Sequence, residues 1–208
     1  MSQPRLPPPA STCLGRPYRS SQKGGTLIVE GVDSFEEHER RVCPDGYRPS
    51  ACAACGHHGL HVHDYRERKL RAEAGRAVTW VVRYWCPSCG AVWLVLPLFL
   101  ARWLWRTWAV VEAAVVGDAP ADSGRPRVPE RTVRRWRDRL ASAARLPVQV
   151  LAQSGNEGLA AVAAAVGLDA TRRQLVHAYE QAFAIPAGKC LAALATLLHR
   201  LAPGVRLM

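Results

Sequence analysis

Acidic residues are scarce in this chain: 17 Asp and Glu stand against 28 Lys and Arg, for a formal net charge of +11 over 208 residues. Such a deficit predicts an anionic partner, nucleic acid first and an anionic membrane surface second, although a composition merely rich in Arg and Ala would produce it too. A secretory leader is not expected either, because Met1 to Pro9 is proline-rich and holds no apolar core of signal-peptide length. No uninterrupted apolar run is long enough for a bilayer. The best candidate, Val92 to Val116, is broken by Pro97, Arg102, Arg106 and Glu112, and charges at mid-membrane depth are costly. The seven cysteines (13, 43, 52, 55, 86, 89 and 190) lack the even count and short secreted context of a disulfide scaffold. A reducing cytoplasm with metal-bound thiolates is the expectation. There is no internal repeat.

Four segments follow from composition and periodicity. Residues 1–45 are rich in Pro, Gly, Ser and charge, with one apolar run at Thr26 to Val29, and are expected as a flexible tail. Residues 46–97 alternate as strands do: Leu60 to Arg68, Val78 to Trp85 and Ala91 to Leu96, with a turn at Ala72 to Arg76. Over residues 98–146, helical spacing of Leu100, Leu104, Trp108, Val111 and Val115 predicts a helix from Ala101 to Val116. A Gly/Pro-rich loop then leads to Pro129, a good first-turn residue for the next helix. Residues 147–208 predict helices at Asn156 to Val166, Thr171 to Phe183 and Cys190 to Leu201. The fold class is α+β: a small β-hairpin module followed by a mostly helical region.

Cys52-x2-Cys55 and Cys86-x2-Cys89 flank the predicted hairpin, and each pair is followed by glycine (CAACG, CPSCG). A CxxC turn presents two thiolates to one side of an ion, and zinc takes four such donors at tetrahedral corners. These four cysteines are the expected ligands of one structural Zn2+, with no position left for a reactive water. His57, His58, His61 and His63 crowd the first turn, and one of them in place of a cysteine is the alternative ligand set. Cys43 lies upstream at irregular spacing and reads as a free thiol.

Arginines 125, 127, 131, 134, 135, 137 and 139 cluster around a predicted helix whose inward stripe is Val133, Trp136 and Leu140. Arginine serves phosphate contacts and bidentate reading of guanine, so double-stranded DNA is the expected partner of this face. The alternative is a solvated charged helix, though such faces usually mix Lys, Glu and Arg. With the preceding helix the segment forms a helix-turn-helix-like element, whose short middle helix would have to fit between Gly117 and Val128.

The pattern CAACGHHGLHVHDYRER, VVRYWCPSCG, LPLFL and RTVRRW resembles the N-terminal zinc ribbon and helix-turn-helix of bacterial insertion-sequence transposases. It is more similar still to a stand-alone bacterial family of unknown function with the same ribbon, the same arginine helix and an ending like LHRLAPGVRLM, over residues 46–208. The resemblance implies a mobile-element context, as regulator, accessory or remnant. It does not carry over the transposase's catalytic domain, which needs three carboxylates around two metal ions. After Arg145 only Glu157, Asp169 and Glu180 remain, so no enzymatic activity is expected, and the last helices are read as a packing or homodimerisation bundle. The location implied is cytoplasmic and nucleoid-associated. Two rival readings stay open: an RNA- or ribosome-associated ribbon protein using Arg66, Arg68, Lys69 and Arg71, and an adaptor that docks through the ribbon and its Trp-rich neighbour.

Overall fold

The computed structural model describes residues 24–29, 31–41, 45–72, 74–102, 105–116, 128–186, 188–202 and 204–208. Its elements are β1 (Gly24–Val29), α1 (Phe35–Arg41), β2 (His61–Ala72), β3 (Gly75–Trp85), β4 (Val92–Pro97), β5 (Leu100–Ala101), β6 (Arg106–Thr107), α2 (Trp108–Val116), α3 (Glu130–Ala141), α4 (Arg145–Ala152), α5 (Glu157–Val166), α6 (Arg172–Phe183) and α7 (Cys190–Leu201). The class is α+β, as the periodicities imply. The strands follow the order β1-β4-β3-β2-β6-β5. Strands β3 and β4 are antiparallel, with Val82 opposite Val95 and Trp85 opposite Val92; β2 and β6 meet in parallel at Arg71 and Arg106.

Two compact units are present. In the described residues the first holds 24–27, 45–66 and 80–95. Its core is small: Tyr47, Leu60, Val82 and Tyr84 are the largest buried apolar side chains besides Val81 and Val95. The β-branched and aromatic run from Val78 to Trp85 favours strand, and β3 buries Val82 and Tyr84 on one face of its second half. Outside that core, Asp64 on β2 holds Arg83 on β3 through a two-pronged ion pair. Arg83 holds the Asp64 carboxyl below the usual carboxylate range, against burial acting the other way.

The second unit holds 28–41, 67–79 and 96–208 within the same described limits. One buried cluster joins Trp108 and Val111 of α2, Trp136 and Leu140 of α3, Leu151 of α4, Val162 of α5, Leu175 of α6 and Leu191, Leu194 and Leu198 of α7. Helix α7 lacks a side-chain cap of its own. Glu112 of α2 supplies one instead: its carboxylate accepts the Gly188 and Leu191 N–H groups at 3.0 Å each, satisfying donors at the positive end of the α7 dipole. Burial pushes the Glu112 carboxyl above its usual range, although the Leu191, Cys190 and Gly188 N–H groups pull it down.

Three sequence expectations are corrected here. The stretch expected as a tail contains β1 and α1. Helix α1 opens on a side-chain cap, Ser34 Oγ accepting the Glu37 N–H at 3.1 Å, while the Glu37 carboxylate accepts the N–H of the preceding Asp33 at 3.1 Å. The helix expected from Ala101 begins only at Trp108, and Leu100–Ala101 and Arg106–Thr107 pair as short strands. Tertiary bonds override the helical spacing there: Trp108 donates to the Phe99 carbonyl at 2.8 Å and Arg71 to that of Trp105 at 3.0 Å. Leu104, part of that expected stripe, lies outside the described residues. Helix α4 was not foreseen, because Pro147 reads as a breaker; it sits in the first turn, where its missing N–H costs nothing.

Candidate metal centre and arginine face

Each CxxCG segment folds into the same knuckle. The Cys52 N–H donates to the His57 carbonyl at 2.9 Å and the Gly56 N–H to the Cys52 carbonyl at 2.8 Å; Cys86 with Ala91, and Gly90 with Cys86, repeat this at 2.9 Å each. Gly56 and Gly90 take φ values of 72° and 74°, a left-handed conformation that favours glycine. The two knuckles bring Cys52, Cys55, Cys86 and Cys89 together, with all four sulfurs within 4.8 Å of one another. Cys52 and Cys89 Sγ are 3.7 Å apart, as are Cys55 and Cys86 Sγ. Sulfurs about 2.3 Å from a tetrahedral ion stand roughly 3.8 Å apart, so the spacing suits a metal ion and is far too long for a disulfide. Cys52 and Cys86 are buried, Cys89 is half-buried and Cys55 is exposed.

The surroundings are prepared for negative charge on sulfur. Burial alone would raise the Cys52 thiol, but the Ala54 N–H, the Trp93 indole N–H and the Cys55 N–H lower it to about 6; the indole nitrogen lies 3.3 Å from the sulfur. At Cys89 the Ala91 N–H acts downward, yet burial and the three neighbouring sulfurs drive the thiol up to about 12. Thiolates are the ligands of a dication, and a coordinated thiol is deprotonated. A tetrahedral ion held by all four leaves no open position.

No histidine joins this cluster among the described residues. His58 Nδ1 lies 2.8 Å from the Ser50 carbonyl, His61 packs beside Trp85, and His63 lies 3.5 Å from Asp64. Cys190 is buried in the other unit, where burial pushes its thiol up to about 12. Cys13 and Cys43 lie outside the described residues.

Helix α3 buries Trp136 and Leu140 and exposes Arg131, Arg134, Arg135, Arg137 and Arg139. Arg106 of β6 lies over the Trp136 ring at 5.4 Å, and Arg137 Nη2 donates to the Ala114 carbonyl of α2 at 3.3 Å. The other four project from a helix whose inner residues Trp136 and Leu140 are buried. Glu130 in the first turn and Arg139 in the last suit the helix dipole. Arg125, Arg127 and the segment that would form a middle helix lie outside the described residues. On the hairpin, Arg66 approaches Asp64 at 3.4 Å and Arg68 covers the exposed Trp105 ring at 5.0 Å. Sequence reasoning overlooked Arg145 and Arg172: Arg145 Nη2 lies 3.2 Å from Asp169, and the Arg172 N–H donates to the Ser142 carbonyl just past α3 at 3.0 Å.

The profile of a domain family of unknown function (DUF6431) matches residues 52–136, from the first cysteine of the cluster to the buried tryptophan of α3. No curated protein and no solved structure matches the chain. No described helix is long and apolar enough to cross a membrane.

Proposed function

We propose that this protein is a zinc-stabilised, non-catalytic DNA-binding protein whose α3 arginine face lies against duplex DNA. The observation that carries the reading is that face: five exposed arginines on one helix of twelve residues, anchored from behind by Trp136 and Leu140. Lysine is absent from it, and guanidinium groups suit the paired oxygens of phosphates better than an ammonium does. Zinc is the favoured occupant of the cysteine cluster because a four-thiolate tetrahedral site selects zinc or iron over harder ions. The ion would hold the ribbon folded and take no part in chemistry. A common profile over residues 52–136 supports treating ribbon and arginine helix as one inherited unit. The likeness of its motifs to transposase ribbons supports a mobile-element setting, and the C-terminal helices would then pack or pair copies of the chain.

The test is duplex-DNA affinity across a salt series, for the parent and for Arg131/Arg134/Arg135/Arg137→Ala. Each neutralised phosphate contributes about −0.9 to the slope of log K against log salt. A parent slope of roughly −4 that flattens towards zero in the variant supports the reading; equal affinities and slopes sink it. One observation favours the RNA alternative: Trp105 is 56% exposed and carries Arg68 on its ring, a surface on which an unpaired base could stack. Structured RNA in the same titration, with Trp105→Ala, separates the two.

A further inference from the structure

Resting on that DNA reading, we propose a division of labour within the helical unit: α6 reads the base edges in the major groove, and α3 anchors phosphates beside it. A guanidinium only donates hydrogen bonds, so a face made of arginines alone suits phosphate oxygens and, among bases, chiefly guanine. Discrimination of all four base pairs needs acceptors and amides as well.

Helix α6 has that chemistry. Leu175, Val176 and Tyr179 are buried, while Arg173, Gln174, His177 and Gln181 are exposed. Arg173, His177 and Gln181 recur every fourth residue and line one outer face. They offer a guanidinium suited to guanine, an amide suited to adenine and an imidazole that can donate or accept. His177 Nε2 and Gln181 Nε2 lie 3.0 Å apart, so the row is already held in order. Glu180 is the only carboxylate on the helix.

The connection to α5 is of the kind that presents a helix to a groove. Helix α5 ends at Gly167, with φ of 73° and its N–H bonded to the Ala163 carbonyl. Four residues later Thr171 caps α6 in a capping box with Gln174. Two packed helices joined by a short glycine turn, the second carrying an exposed polar face at its first turns, match the arrangement in which a second helix enters the major groove. Leu159 and Val162 of α5 share the core that Leu175 and Tyr179 enter, so the pair is rigid.

The anchor stands next to it. The end of α3 is tied to the start of α6: Ala144 donates to the Ala170 carbonyl at 2.8 Å and Arg172 to that of Ser142 at 3.0 Å, with Ala143 and Thr171 in a β-bridge. At this junction Arg172 is spent internally, donating to the Leu207 carbonyl at 3.1 Å, while Arg139 and Arg173 are exposed. Between residues 130 and 173 eight arginines face four carboxylates, a balance complementary to DNA backbone.

The experiment uses the full zinc-loaded chain. Preferred duplexes are selected from a random pool, and affinity for the preferred and a scrambled duplex is measured across salt for the parent, Arg173→Ala, His177→Ala and the quadruple α3 variant. The two α6 variants should lower the preferred-to-scrambled ratio by about 10-fold while keeping at least the greater part of the salt slope. The α3 variant should weaken both duplexes alike and flatten the slope. An unchanged ratio in both α6 variants, or a ratio abolished by the α3 variant, overturns the division, as does a selection that yields no preferred sequence; in each case duplex binding itself survives. A parent that binds no duplex overturns the proposed function, and this inference with it.

Discussion

Replacing Cys86 and Cys55 by serine, one at a time, separates coordination from packing. Cys86 is wholly buried, whereas Cys55 is exposed, yet each supplies one sulfur to the same cluster. If the cluster were ordinary core, Cys86→Ser would cost about 1–3 kcal/mol for an unpaired hydroxyl in a buried position, and Cys55→Ser almost nothing. If an ion is bound, both variants lose one of four metal bonds. Structural zinc sites of this kind supply on the order of 10 kcal/mol, as much as the whole stability of a typical domain, about 5–15 kcal/mol. The ribbon unit has few large buried side chains with which to make up the loss. Both variants, and the parent after chelation, should therefore lose protection of residues 45–66 and 80–95 together. The assay is elemental analysis of the purified chain, followed by hydrogen exchange or limited proteolysis of parent and variants. Zinc-free parent protein with a protected ribbon would refute the reasoning, and so would Cys55→Ser behaving like the parent while Cys86→Ser does not. Iron in place of zinc would correct the metal and leave the site standing.

Glu112→Ala strands the buried Leu191 N–H and the part-buried Gly188 N–H at the start of α7 and should cost about 1–3 kcal/mol, read as a lower unfolding midpoint in urea; Glu112→Gln, which keeps one acceptor, should cost less, and equal midpoints would discredit the cap. Asp64→Asn should destabilise the ribbon at neutral pH by about 1 kcal/mol or less, the carboxylate being a third exposed. Because the folded-state pKa of Asp64 is lowered, its contribution is complete above the ordinary carboxylate value and disappears as pH falls through the lowered one. The two proteins should therefore converge in acid, and a constant gap would argue against the ion pair. No metal-dependent nicking of supercoiled DNA is expected; activity that survives purification and vanishes with Glu157→Gln or Asp169→Asn would overturn the non-catalytic reading.

The cysteine cluster was legible because its information is local. CxxCG encodes a knuckle in five residues, and two copies around an alternating segment leave little choice of partner. The ends of α5 and α6 were legible for a similar reason, Asn156 and Thr171 being side-chain caps. Ser34 and Glu37 carried an equally local signal for α1, hidden by the polar composition around it. The stretch from Leu100 to Thr107 could not be read locally. Its apolar spacing fits a helix, and only the Trp108 N–H donated to the Phe99 carbonyl and the Arg71 N–H donated to the Trp105 carbonyl draw it into short strands. The neighbourhood of α3 and α6 was likewise invisible, since Ala144 meets Ala170 and Ser142 meets Arg172 only once the helices between them have packed.

Glu112 sets an order on the completion of the helical unit. Its two N–H partners lie 76 and 79 residues further along the chain, so during synthesis its carboxylate has no partner there until α7 has emerged. Contacts of such long sequence separation form late and are slow to close. Until they do, a bare carboxylate on α2 stands against apolar surface, an energetically poor state that disfavours early, incomplete packing of α2 against its neighbours. The last helix thus acts as the latch of the assembly, and the arginine-bearing surface gains its rigid support only when that latch engages.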